Sequence, residues 1–370
     1  MALTQVRTGG LTDDAVTTDK LYTPNLGRRN LIINGAMQVA QRGTGAATAD
    51  NEFPVDRWKL SNTASDSADV SAQQSTDTPT GEGFRNSIKW SVGTGSNAVG
   101  SQAIRTSLEV QDSTDVLAWG SSGGKTATLS FWIKASQSGT ITTSLRESGA
   151  SACFLDLTTV TTTWVKKSIN IPAPTFGSWS TTANAGGVVA IFCFDRHTSA
   201  SGSTADAWVA ANHISLTTQT EWVSIDGAEI YITGVQLEAN SQSTPFEHRS
   251  YAEELSLCQR YYQQYDYTGT YQHLLDTQAV NANTVKGILP LLTKTRTNPT
   301  VSNNGVGNFR INAYAGGLDE VCNTITVNHS EQTYFSVSFA KATSNLTTNM
   351  NTYINTEVGN DASFYVDAEL

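Results

Sequence analysis

Apolar residues in this chain recur at every second position, in short segments separated by Ser, Thr, Gly and Asn. That period constrains the fold more than any other feature. Side chains of a strand point alternately to opposite faces, whereas a helix repeats about every 3.6 residues. In ATLSFWIKA (127–135), Leu129, Phe131 and Ile133 share one face, and Ser130, Trp132 and Lys134 share the other. TWVKKSINIPAP ends in prolines, which cannot donate to a ladder and so stop a strand. GGVVAIFCFD (186–195) is apolar on both faces, which predicts a central strand covered on two sides. In AEIYITGVQLEAN the apolar phase of Ile230 and Ile232 slips by one before Val235 and Leu237. A slip at Thr233–Gly234 predicts a β-bulge.

Charged residues make up only 15% of the chain, against roughly 25% in an ordinary globular protein. Polarity comes instead from residues that suit tight turns between strands. The result is an all-β expectation, with two-sheet sandwiches as the architecture. The first sandwich is read over 30–247, a connecting helix over 248–268 and a second β-sandwich over 269–370. The terminal ASFYVDAEL alternates to its last residue, which predicts an end tied into a sheet. Residues 1–29 are polar and aperiodic, and are expected to order only against a partner.

STPFEHRSYAEELSLCQRYY (243–262) departs from the strand pattern. Ser250 followed by Glu253 has the spacing of a capping box. Tyr251, Leu255, Cys258 and Tyr262 form one line at helical spacing, and Leu257, Tyr261 and Tyr265 form a second. Two apolar stripes predict a helix covered on more than one side, at a junction between two β-bodies or between subunits. Leu255 and Leu257 are then expected to face different neighbours.

The sequence also excludes chemistry. A net charge of −10 argues against nucleic acid, whose phosphates need a basic surface. The opening residues lack a basic then apolar leader, and no apolar run approaches the roughly 20 residues of a membrane helix, so neither secretion nor membrane insertion is expected. WGSSGGKT (119–126) imitates a phosphate loop, but one residue too few separates Gly120 from Gly124, and a strand follows where a helix is required. The five histidines are dispersed and the four cysteines lie far apart, so no metal or cofactor is expected; Cys193 and Cys258 read as buried hydrophobes. No nucleophile motif is present, and the expectation is that the chain is not an enzyme.

Eight tryptophans in a strand-rich chain suggest glycan contact, because sugars pack apolar faces on aromatic rings. Trp132, on the otherwise polar face of its strand, Trp208 and Trp222 are the candidates. The loop FDRHTSASGSTADAW (194–208), which ends on Trp208, is the best placed of the segments.

NLIINGAMQVAQRGT followed by FPVDRW, then TLSFWIKAS, WVKKSINIP and YITGVQLEANSQSTPFEHRSYAEELSLCQRYY, together resemble the jelly-roll domain of bacteriophage tail-fibre and virion appendage proteins and its exit into a helix. LPLLTKTRTNPTVS and ASFYVDAEL are similar to the C-terminal β-domain that follows it, and LTDDAVTTDKL (11–21) to N-terminal fibre segments. The resemblance implies a virion protein assembled in the host cytoplasm, a homotrimer attached to other virion proteins through residues 1–29 and contacting host-surface glycan. It supplies no catalytic residues. It implies structural roles for Gln236–Glu238 and Glu247–Arg249, and a trimer or domain junction at Tyr251, Leu255, Leu257, Cys258, Tyr261 and Tyr262. A head fibre or capsid decoration protein is the alternative, and a polysaccharide depolymerase the second alternative.

Overall fold

The computed structural model describes residues 28–63, 69–96, 100–196, 200–314 and 317–370. The expected anchor, apart from Arg28 and Arg29, lies outside the described residues, as does His197. The fold is all-β, built as two sandwiches with separate cores.

In the first sandwich a six-stranded sheet runs in the order Lys59–Asn62, Gln102–Glu109, Gly186–Cys193, Gly139–Glu147, Cys153–Val160 and Ala207–Val209. The five-stranded sheet facing it runs Val70–Ser75, Ser87–Val92, Glu229–Glu238, Ala127–Ala135 and Val165–Ile171. Adjacent strands in both are antiparallel. Leu129, Phe131 and Ile133 of one sheet meet Val188, Ala190 and Phe192 of the other in the core. Phe131 and Phe192 pack edge to face with centroids 4.8 Å apart, the arrangement ring quadrupoles favour.

Gly186–Cys193 is central and apolar on both sides for a visible reason. Its outward Val189, Ile191 and Cys193 are buried with Ala103 beneath Ile214, which comes from the loop that folds back over this sheet. The bulge falls where the phase slips. The pairing register of Glu229–Glu238 shifts between Thr233 and Gln236, and Gly234 sits at φ +61°. A Cβ on Gly234 would lie 2.5 Å from Cζ of Phe84, so the position requires glycine on two counts.

The second unit pairs a three-stranded sheet, Tyr262–Tyr267, Ala362–Asp367 and Thr300–Asn303, with a seven-stranded sheet. Phe309, Phe335, Phe339 and Phe364 fill the space between them. Ala362–Asp367 is the middle strand of its sheet, so the terminal segment is paired on both sides.

The helix is shorter than its sequence spacing predicts, spanning Tyr251–Gln259 and not 248–268. Tyr261 lies beyond its end, and Tyr262 and Tyr265 belong to the strand Tyr262–Tyr267 paired with Ala362–Asp367. The tyrosines fit i+4 spacing, but strand pairing decides the conformation of residues with high β-propensity. The second stripe is therefore not a helical stripe. Ser250 caps the helix by accepting from the Glu253 backbone N–H at 3.3 Å. Cys258 is buried, while Tyr251 is 56% exposed. Leu255 and Leu257 are half-buried. Both pack on one small cluster of Ile33, Val39, Cys258 and Tyr261, joined by Leu370.

Polar residues around the helix are structural. Glu247 accepts from the backbone N–H groups of Arg29 and Asn30, and its own N–H donates to Gln236. Arg249 donates to the carbonyls of Asn30 and Ile32 and pairs with Glu254. Buried Glu238 accepts from the backbone and hydroxyl of Thr244. The same region ties the two sandwiches together. Arg57 pairs with Glu369, and Arg296 donates to the carbonyls of Asn184, Ala368 and Glu369.

Candidate functional site

Ala127 pairs with Ile171, so the turn entering one strand and the loop leaving the other emerge side by side at one end of the first sandwich. The turn is WGSSGGKT and the loop is PAPTFGSWS (172–180). Between them lies an open cleft of about 430 Å³, with Ser121 and Ser122 on one side and Thr175, Phe176 and Trp179 on the other. Its volume falls in the roughly 300–1,000 Å³ range of small-ligand sites.

Trp179 lines the cleft, and two further tryptophans stand behind it. Trp119, Trp179 and Trp208 meet edge to face, with centroids 5.4 Å (119–179), 5.3 Å (119–208) and 5.8 Å (179–208) apart. Each indole N–H donates to a carbonyl of these same two loops: Trp119 to Lys125 at 2.8 Å, Trp179 to Phe176 at 3.0 Å and Trp208 to Pro172 at 2.7 Å. The rings are thus oriented by hydrogen bonds as well as by packing. Gly120, at φ +84°, lets Trp179 approach so closely that a Cβ there would lie 2.8 Å from the Trp179 Cβ. Phe176 stands at the rim, 37% exposed.

The lining combines aromatic faces with serine and threonine hydroxyls and includes no Asp, Glu, Lys, Arg or His. Such a surface stacks on an apolar ring and hydrogen-bonds its hydroxyls. It holds no carboxylate to serve as the acid or base of glycoside hydrolysis.

The three tryptophans named from the sequence fall in three different environments. Trp208 is half-buried and supports Trp179 from behind without lining the cleft. Trp132 is half-buried in a separate hollow of about 550 Å³ on the outer face of the five-stranded sheet, beside Lys166, Phe84, Phe246 and His248. Trp222 is wholly buried, with its indole N–H on the Thr140 carbonyl at 2.8 Å, so it has no face to offer a ligand. Its candidacy for glycan contact is therefore withdrawn. Trp179, Trp119 and Phe176 escaped the sequence reading. Their signal was two aromatic segments rich in Gly, Ser and Pro, each leading into or out of a strand.

No family model matches the sequence, and no curated protein matches it. Among solved structures, the enzymatically active domain of bacteriophage CBA120 tailspike protein 4 aligns at 18% identity with a TM-score of 0.32, over 56% of this chain and 21% of that one. TmCBM61, solved with β-1,4-galactotriose, aligns at 12% identity and a TM-score of 0.30, over 57% and 99% of the two chains. The family 11 carbohydrate-binding module from Clostridium thermocellum, solved with a mixed-linked tetrasaccharide, aligns at 16% identity and a TM-score of 0.27, over 54% and 99%. Likenesses at this level carry no argument about ligand or activity.

Proposed function

We propose that this chain is a bacteriophage appendage protein that contacts host-surface glycan through the cleft walled by Trp179 and Phe176. The single observation that carries the binding half of this reading is the fixed tryptophan cluster opening onto hydroxyl-bearing loops. The sequence resemblance to tail-fibre proteins carries the virion half, including attachment through residues 1–29 and assembly as a homotrimer. The cleft binds without cleaving, because its lining supplies aromatic faces and hydroxyls and no acid–base pair. A neutral hexose is the chemistry that suits it, as no charged group lines it.

The test is binding of the labelled protein to host cells and to oligosaccharides released from them. Trp179→Ala is expected to weaken both by roughly ten- to hundredfold, the loss of one stacking face and its contact area. Unchanged binding by folded Trp179→Ala removes the cleft from the mechanism. No binding by the assembled wild-type protein favours a head fibre or decoration protein with a structural role. Release of reducing ends from host polysaccharide would restore the depolymerase reading.

A further inference from the structure

A second concave site lies on the outer face of the six-stranded sheet, away from the tryptophan cleft. Arg105 stands on Gln102–Glu109, with Lys59 directly opposite on one neighbouring strand and Ile191 on the other. Across Ile191 lies Ser144, and Arg146 follows two residues along that strand. Because side chains alternate, Lys59, Arg105, Ile191, Ser144 and Arg146 occupy one face. Arg105 and Arg146 line the same trough of about 400 Å³, floored by Ala103, Ile191 and Ile214. Asp50, Ser61, Asn212 and His213 also line it.

Asp50 is the one carboxylate lining this trough, and its charge acts on Arg105 without a direct ion pair. Arg146 donates to the Asn212 side-chain oxygen at 2.6 Å and Arg105 to that of Asn51 at 3.3 Å, both uncharged partners. Among the described residues neither arginine forms a salt bridge. Among the described residues the Nε–H of each arginine is buried without an acceptor, and Nδ1 of His213 is buried without a partner. Asp50 spends its carboxylate locally, on the Asn62 backbone N–H and the Asn51 side chain. Burial holds the Arg105, Arg146 and Lys59 pKa values below their ordinary ranges. The charge of Arg105 adds to this at Arg146 and at Lys59. A protein of net charge −10 thus sets Arg105 and Arg146 on a shared concave face, where the charge of Arg105 acts against that of Arg146.

We infer that this trough binds an acidic sugar unit, its carboxylate or phosphate held between Arg105 and Arg146 and its ring lying over Ala103, Ile191 and Ile214. Guanidinium groups match oxyanions through paired N–H donors, and such charge-assisted bonds are stronger than neutral ones. The site is independent of the tryptophan cleft and does not require that reading to hold.

The full chain is titrated calorimetrically with oligogalacturonate, with the same oligosaccharide after carboxyl reduction, and with a glycerol-phosphate polymer. Binding of at least one anionic ligand is expected, with none by the carboxyl-reduced form. The two anionic arms separate carboxylate from phosphate recognition. Arg105→Gln and Arg146→Gln should each weaken binding by roughly ten- to hundredfold, the range of a lost charge-assisted pair. Trp179→Ala should leave it unchanged. The Nε–H resonances of the two arginines, followed in the wild-type protein, should move on binding, a readout that needs no variant. Equal affinity for the carboxyl-reduced form, an undiminished Arg105→Gln/Arg146→Gln double variant, or no binding by either anion overturns the inference.

Discussion

Arg260 grips the fully buried carboxylate of Glu109 with two hydrogen bonds, from Nε at 2.7 Å and Nη2 at 2.8 Å. Tyr261 donates to the same carboxylate at 2.6 Å and Gln111 at 2.9 Å. Glu109 ends a strand of the first sandwich, whereas Arg260 and Tyr261 connect the helix to the first strand of the second. One carboxylate therefore fastens the chain exit to the body that precedes it.

Glu109→Gln should destabilise the protein by about 3 kcal/mol, because it leaves the Arg260 guanidinium facing a group that cannot accept both bonds as an anion. Burial acts to raise the Glu109 pKa, but the hydrogen bonds from Arg260 and Tyr261 and the charge of Arg260 outweigh it and hold it below the ordinary carboxylate range. A carboxylate depressed in the folded state contributes stability above its unfolded pKa and loses that stability as pH falls through the folded value. The difference between wild type and Glu109→Gln, measured by denaturant unfolding, should be full at pH 7 and shrink below about pH 4. A constant difference across that range contradicts the assignment.

Asp195 works in the opposite direction. It accepts from the Arg196 backbone N–H at 2.8 Å, yet burial lifts its pKa to about 6. A carboxylate raised in the folded state is best accommodated as the neutral acid. Its contribution is fullest below the unfolded value and is lost as pH rises toward 6. Asp195→Asn, which resembles the protonated form, should stabilise the protein by about 1–3 kcal/mol at pH 7 and by little at pH 4. Equal unfolding midpoints for the two proteins at pH 7 would sink this.

How far the sequence could be read depended on whether a pattern was local. The two-faced strand Gly186–Cys193 and the bulge at Thr233–Gly234 were legible, because phase and composition within one segment determine them. The helix end was not. Tyr261, Tyr262 and Tyr265 satisfy helical spacing as well as strand alternation, and only the pairing with Ala362–Asp367 decides between them. The tryptophan cleft depends on Ala127 lying opposite Ile171, and the arginine trough on two strands separated by a third. Neither juxtaposition leaves a trace in residue spacing.

Ser250→Ala tests how much the short helix relies on its cap. The helix holds nine residues, too few to persist on propensity alone, and its cap bond goes to the Glu253 N–H. The loss should be about 1 kcal/mol, and amide exchange at Glu253 and Glu254 should accelerate more than that of the sandwich cores. Uniform acceleration throughout the protein would mean instead that the helix unfolds only with the whole.

Alanine substitutions across the tryptophans separate support from contact. Trp222→Ala empties the core and should cost about 3–5 kcal/mol, which makes any loss of binding uninformative. Trp132→Ala removes a ring from the separate hollow and should leave binding at the tryptophan cleft intact. Trp208→Ala is the decisive variant, since Trp208 touches Trp119 and Trp179 without lining the cleft. If Trp179 must be held in place to stack, Trp208→Ala weakens glycan binding and Trp208→Phe recovers part of it. The Phe ring restores an edge-to-face partner for Trp179 but not the hydrogen bond to Pro172. Binding unchanged in folded Trp208→Ala would show that the Phe176 carbonyl and the Trp119 ring suffice to hold Trp179 in its orientation.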